Sequence, residues 1–139
     1  MTERYRLDGE LLPTIPVPHD GVITRLEIGG DCITFRFEED IGRRDAIAYI
    51  HPGAKSLIIR YHLTEDGFRL YRWHRRIPLL FPKGYYKEVA RPCPEKLTAH
   101  RLEYLYHNVG YCSVITTLYS RGYLILDASV DSVEYEWID

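Results

Sequence analysis

The chain has 139 residues and a formal net charge of −2, with 45% hydrophobic and 27% charged residues, the balance of an ordinary soluble globule. No apolar run approaches the about 20 residues that a membrane helix needs, the charged start Met1–Asp8 lacks the apolar stretch of a signal peptide, and three widely spaced cysteines, Cys32, Cys93 and Cys112, argue against a disulfide framework and for a reducing compartment. The small net charge hides segregation: residues 1–54 hold six Lys/Arg against ten Asp/Glu, residues 55–101 eleven against four, and residues 102–139 one against six, so a basic centre lies between acidic flanks and either neutralises itself in the fold or faces a charged partner.

Period-two alternation dominates the chain and predicts strands. Three prolines, Pro13, Pro16 and Pro18, make the lead-in irregular. Val22, Thr24, Leu26 and Ile28 alternate with Ile23, Arg25 and Glu27, Gly29-Gly30-Asp31 supplies a turn, and Ile33, Phe35 and Phe37 share one face of the return strand. Residues 40–45 read as a loop and Ala46–Ile50 as a short strand ended by His51-Pro52-Gly53. A second hairpin is expected from Leu57–Leu63 and Phe68–Arg75 around Thr64-Glu65-Asp66-Gly67. A two-residue and a four-residue loop have the same parity there. Either way Leu57, Ile59, Tyr61, Leu63, Phe68, Leu70, Arg72 and His74 share one face, and Ile58, Arg60, His62, Arg69, Tyr71, Trp73 and Arg75 the other.

Pro78, Pro82, Pro92 and Pro94 make residues 78–94 a long, partly extended connection that packs Tyr85 and Tyr86. Over 94–107 a helix started by Pro94 and Glu95 competes with a strand in which Leu102, Tyr104 and Tyr106 alternate; strand is preferred for 101–107. Residues 111–119, Tyr123–Ala128 and Ser132–Ile138 complete the strands, the last with Val133, Tyr135 and Trp137 opposite Glu134 and Glu136. The expectation is a single mainly β domain over 1–139: an antiparallel roll, barrel or sandwich of eight or nine strands, with at most one short helix near 94–107. Twelve tyrosines suit such sheet faces and a contact surface.

The leading binding candidates are Arg60, Arg69, Tyr71, Trp73 and Arg75 on one side of the second hairpin, followed by Arg76, Lys83, Lys87 and Arg91. Guanidinium forks grip phosphates and carboxylates, and aromatic rings stack on bases or on guanidinium groups. The competing reading places Tyr71 and Trp73 in the core and sets the arginines across from Asp131, Glu134 and Glu136. The histidines His19, His51, His62, His74, His100 and His107 show no H-x-H or H-x-x-x-H pair, so no metal or other cofactor is expected. His19-Asp20-Gly21 reads as a turn into the strand at Val22. Cys112 with His107 is the one pair that suggests nucleophilic chemistry, and no phosphate-cradling or nucleophile-elbow motif is present.

The stretch His19–Ile23, then Leu26-Glu27-Ile28 and Ile33-Thr34-Phe35, with Leu124–Ala128 and Val133-Glu134-Tyr135 at the end, resembles small uncharacterised bacterial β-rich proteins, some of them similar to immunity proteins of polymorphic toxin systems. That resemblance covers at most a third of the chain. It implies a protein-binding role, usually against a toxin, and carries over no catalytic residue; the cytoplasmic expectation comes from the cysteines and the charged start. The expected function is therefore a non-enzymatic interaction protein that binds a macromolecular partner, in the first place a protein, by charge complementarity. Either the Arg-aromatic face or the acidic flanks, mimicking phosphate against a basic nuclease, would make the contact. The alternative is a small-ligand or single-stranded nucleic-acid module using the Arg-aromatic face.

Overall fold

A computed structural model describes residues 1–75, 79–80 and 82–139. Among these residues eight antiparallel strands form one sheet: β1 (Thr2–Arg6), β2 (Gly21–Gly29), β3 (Cys32–Phe37), β4 (Ser56–His74), β5 (Tyr85–Glu88), β6 (Leu102–Gly110), β7 (Ser113–Tyr119) and β8 (Tyr123–Ile138). Two strands organise it. The 19-residue β4 and the 16-residue β8 pair along most of their length, from Ser56–Ile138 to Arg72–Leu124. Along the other edge of β8, β1 and β7 lie end to end; along the other edge of β4, β3 and β5 do. β7 pairs with β6, β6 with β2 and β2 with β3, so the ladder closes on itself as a barrel and removes most open edges.

The expected second hairpin is replaced by one continuous strand. Thr64–Gly67 does not reverse the chain. It forms an enlarged bulge, in which β4 takes five steps from Leu63 to Phe68 while β8 takes two, from Val130 to Ala128. Gly67, at φ +70°, absorbs the kink, and the Thr64 and Ser129 hydroxyls bond across it at 2.6 Å. The bulge has the parity of the expected loop, so the face assignment holds: Leu57, Ile59, Tyr61 and Leu70 are buried, and Arg69, Trp73 and Arg75 are exposed. Tyr123–Ala128 and Ser132–Ile138 likewise join into the single strand β8. Its register slips between Val130 and Ser132, which moves the inward side chains from even positions to odd ones.

Residues 46–50 are not a strand. A 3-10 turn at Ile41–Arg43 and a one-turn helix α1 (Asp45–Ala48) fold Ile41 and Ile47 into the core. Helix and strand both occur in 94–107, as α2 (Pro94–Ala99) followed by β6. The Ser120 hydroxyl donates to the Leu97 and His100 carbonyls and anchors the end of α2. His19-Asp20-Gly21 is the expected turn: Asp20 sits at φ +63° and the Gly21 amide donates to the Pro18 carbonyl.

The largely apolar interior holds one hydrogen-bonded chain, beside the buried side chains of Thr117, Ser120 and Ser132 and a Trp137 Nε1 that has no hydrogen-bond partner among the described residues. The Tyr61 hydroxyl lies 2.7 Å from both the Tyr104 hydroxyl and Thr116 Oγ1. Tyr104 reaches His107 Nδ1, and His107 Nε2 lies 3.0 Å from the Ile15 carbonyl. A carbonyl can only accept, so His107 carries its proton on Nε2. Burial lowers the His107 pKa, the Ile15 contact opposing it, so the ring is neutral near pH 7. Nδ1 must then accept from Tyr104, Tyr104 accepts from Tyr61, and Tyr61 accepts from Thr116. One backbone carbonyl thus orients the whole chain of bonds. It belongs to the proline-rich lead-in, where Tyr135 also donates to the Pro16 carbonyl and Ile15 is buried.

Candidate functional site

Two outer faces of the barrel differ in kind. Across β1, β8, β4, β3 and β2 the registers place Arg4, Glu134, Arg60, Thr34 and Glu27 in one row and Thr2, Glu136, Ile58, Arg36 and Arg25 in the next. Charge is matched there: Arg60 lies 3.0 Å from Glu134 and 2.8 Å from Glu136, and Arg25 2.8 Å from Glu27. Burial works against the Arg60 charge, but its bonds to Glu136 and Glu134 outweigh it and raise its pKa. This face pairs most of its own charge, while His62 Nε2, 3.9 Å from Glu134, is buried without a hydrogen-bond partner among the described residues.

Across β6, β7, β8, β4 and β5 the outward rows read differently. Tyr119 stands opposite Tyr123, and Trp73 opposite Tyr86; the next row runs Tyr106, Thr117, Ile125, Tyr71 and Glu88; a third runs Asn108, Ile115, Asp127 and Arg69. Trp73, Tyr86, Tyr106, Ile115, Tyr119 and Tyr123 are 36% to 48% exposed. Antiparallel sheets commonly turn a polar face to water, and here that face is aromatic. At about 4.8 Å between strands and about 6.8 Å between alternate residues, it covers roughly 300–400 Å². The rings hold one another: Tyr119 and Tyr123 meet edge to face at 5.3 Å, Trp73 and Tyr86 at 4.9 Å. Tyr71 and Trp73, read from the sequence, lie on it. Tyr86, expected to pack along the 78–94 connection, is 45% exposed and lies on this face with Tyr106 of the alternating segment 101–107 and with Ile115, Tyr119, Tyr123 and Ile125, to which the sequence assigned no site role. The available signal was β7, where Val114, Thr116 and Leu118 alternate with Ile115, Thr117 and Tyr119, leaving no polar side.

The expected contact set is divided. Arg60 belongs to the ion-paired face. Its β8 partner Glu134 and the Arg69 partner Asp127 lie seven residues apart on β8, about 20 Å at strand rise. A hairpin would have made Arg60 and Arg69 neighbours; a continuous strand separates them. Arg69 lies at the rim of the aromatic face, bonded to Tyr71, with Glu88 and Asp127 adding to the rise in its pKa. Arg75, Lys83, Lys87 and Arg91 are exposed, and among the described residues none has a carboxylate within ion-pair distance. Arg76 and Pro78 lie outside the described residues. The basic centre is therefore neutralised at Arg60 and at Arg101, which lies 3.1 Å from Glu103, and open around β5.

Nucleophilic chemistry finds no geometry at Cys112. It sits in the β6–β7 turn at φ +48°, and both His107 nitrogens are engaged by Tyr104 and Ile15. Cys93 donates to Glu95, Cys32 lies 3.7 Å from the Thr34 hydroxyl, and all three thiols are free. Among the described residues no three His, Cys, Asp or Glu side chains converge as metal ligands. His51 instead stacks on Trp137 and lies 2.6 Å from Asp139. Among the described residues no helix is long and apolar enough to cross a membrane. No family model, curated protein or solved structure matches this chain.

Proposed function

We infer that this protein is a non-enzymatic interaction protein, and that the outer face of β6, β7, β8, β4 and β5 binds a protein partner. The observation that carries this reading is the row of tyrosines with Trp73, held on paired strands and left without a covering element among the described residues. Tyr and Trp bring large contact area at low entropic cost and are enriched at interface centres. The apolar patch is about half of the ~800 Å² that each partner contributes to a stable complex, which leaves a polar rim to Arg69, Arg75, Glu88, Glu103 and Asp127. An immunity-like role is one instance of this reading.

A protein suits the face better than a nucleic acid. Glu103 stands opposite Tyr119, Asp127 opposite Ile115 and Glu88 opposite Tyr71, so a phosphate backbone laid across the rings would meet a carboxylate in each row. The test compares columns carrying wild type, Tyr119→Ser/Tyr123→Ser and Arg60→Ser in retaining protein from a lysate of the source cells at physiological salt. The expected result is one protein retained by wild type and Arg60→Ser and lost by the tyrosine variant. Equal retention by all three, or retention of nucleic acid alone at low salt, would refute the reading.

A further inference from the structure

The basic end of the aromatic face holds a shallow, open cleft of about 480 Å³ bordered by Trp73, Arg75, Pro82 and Lys83. Its floor is fixed. Trp73 meets Tyr86 edge to face, and the Gly84 backbone presses on the other part of the indole. A Cβ on Gly84 would fall 2.2 Å from Trp73 Cζ2, and the residue holds φ +82°. Only glycine accepts both the conformation and the approach. The walls supply charge. Arg75 and Lys83 have no carboxylate within ion-pair distance among the described residues, whereas Arg25, Arg44, Arg60 and Arg101 each have one. Among the described residues that line the cleft none is acidic.

We propose that this cleft receives an acidic segment of the protein partner, an apolar or aromatic side chain lying against Trp73 and flanking carboxylates bonding Arg75 and Lys83. The proposal rests on the aromatic face being the interaction surface and adds the chemistry of what binds there. A guanidinium takes a carboxylate through two parallel hydrogen bonds, and Lys83 adds a second point of charge. A preformed indole shelf beside unpaired cations loses little entropy on binding. The acidic chemistry follows from position: around β5 the open cations Arg75, Lys83, Lys87 and Arg91 outnumber the one carboxylate, Glu88, while Glu103 and Asp127 lie across the rest of the face. A partner matching this surface is acidic at the β5 end and apolar across β7 and β8.

The probe is a fluorescein-labelled octapeptide with phenylalanine between glutamates, compared with its glutamine counterpart and with an eight-residue oligothymidylate. Anisotropy follows the label, and Trp73 emission follows the cleft; Trp137 is 2% exposed and serves as the silent background. The expected result is saturable binding of the glutamate peptide with a change in Trp73 emission, at least tenfold weaker for the glutamine peptide and at least tenfold weaker for Arg75→Ser/Lys83→Ser. Iodide should also quench Trp73 several-fold more than caesium does, and this bias should vanish in the same variant. Absent binding, equal binding of both peptides, unchanged binding by the variant, tighter binding of the oligothymidylate or equal iodide and caesium quenching would each overturn the proposal. The columns separate this failure from failure of the wider reading. A partner lost by Tyr119→Ser/Tyr123→Ser but kept by Arg75→Ser/Lys83→Ser leaves the face standing and removes the cleft.

Discussion

Replacing Tyr104 by phenylalanine tests the oriented hydrogen-bond chain through the barrel. Tyr104 is fully buried and donates to His107 Nδ1 while accepting from Tyr61. Tyr104→Phe therefore leaves two buried groups unpaired, the His107 lone pair and the Tyr61 O–H. Each orphaned group costs about 1–3 kcal/mol, which sums to about 3 kcal/mol after partial relaxation. Tyr61→Phe strands only the Thr116 hydroxyl, because Tyr104 keeps its bond to His107; about 1.5 kcal/mol is expected. In the double variant the Tyr61 hydroxyl orphaned by Tyr104→Phe no longer exists. Its cost should fall short of the sum of the single costs by about 1–2 kcal/mol. Urea unfolding gives the three values, provided m is unchanged between variants. In thermal melts Tyr104→Phe corresponds to a fall of about 10 °C for a chain of this size. A Tyr104→Phe cost below about 0.5 kcal/mol, equal costs for the two single variants, or strict additivity would refute the assigned bond directions.

Acid should destabilise the fold through His107, whose folded pKa burial lowers: as pH falls through about 6.5 the unfolded chain takes up a proton that the folded one refuses, removing up to about 1.4 kcal/mol per pH unit until the folded value is reached, and His107→Gln should lack this part of the slope in urea unfolding between pH 7.5 and 5. Alkali should act in the opposite range, since burial holds the Tyr61 hydroxyl at about 12; stability should decline as pH rises past the ordinary tyrosine value of about 10, less steeply in Tyr61→Phe. Arg60→Ser should cost about 1 kcal/mol by leaving Glu134 and Glu136 unpaired on a partly solvated face, while Arg69→Ser leaves the urea midpoint in place; equal effects would contradict the division of the basic residues between two faces. Gly84→Ala should displace Trp73, read as a red shift in its emission and a loss of about 1–2 kcal/mol for the positive φ; an unchanged spectrum and melting point would contradict the packing of Gly84 on the indole.

Much of the fold was legible because alternation is a local signal. The pattern in Ile33–Phe37 and in Val133–Trp137 depends only on which side chains water rejects, and those residues are the buried ones. Tyr71 and Trp73 could be named for the same reason, as large rings on the polar side of an alternating segment. The rest of the aromatic face could not be assembled this way. Tyr86, Tyr106, Tyr119 and Tyr123 come from four strands, and only the pairing of β5 to β4, β4 to β8, β8 to β7 and β7 to β6 makes them neighbours.

Thr64–Gly67 shows where local chemistry yields to tertiary structure. Thr-Glu-Asp-Gly carries turn preferences of about 1 kcal/mol, but a strand that runs on into β8 gains a run of cross-strand pairs of similar size each. The chain therefore passes through the segment as a bulge and continues. Parity alone determined which face each residue of 57–75 takes, and a loop and a bulge of equal parity leave that unchanged. Whether Arg60 and Arg69 meet depends instead on the direction of the chain after Leu63, and that was decided by β8, more than 60 residues further along the sequence.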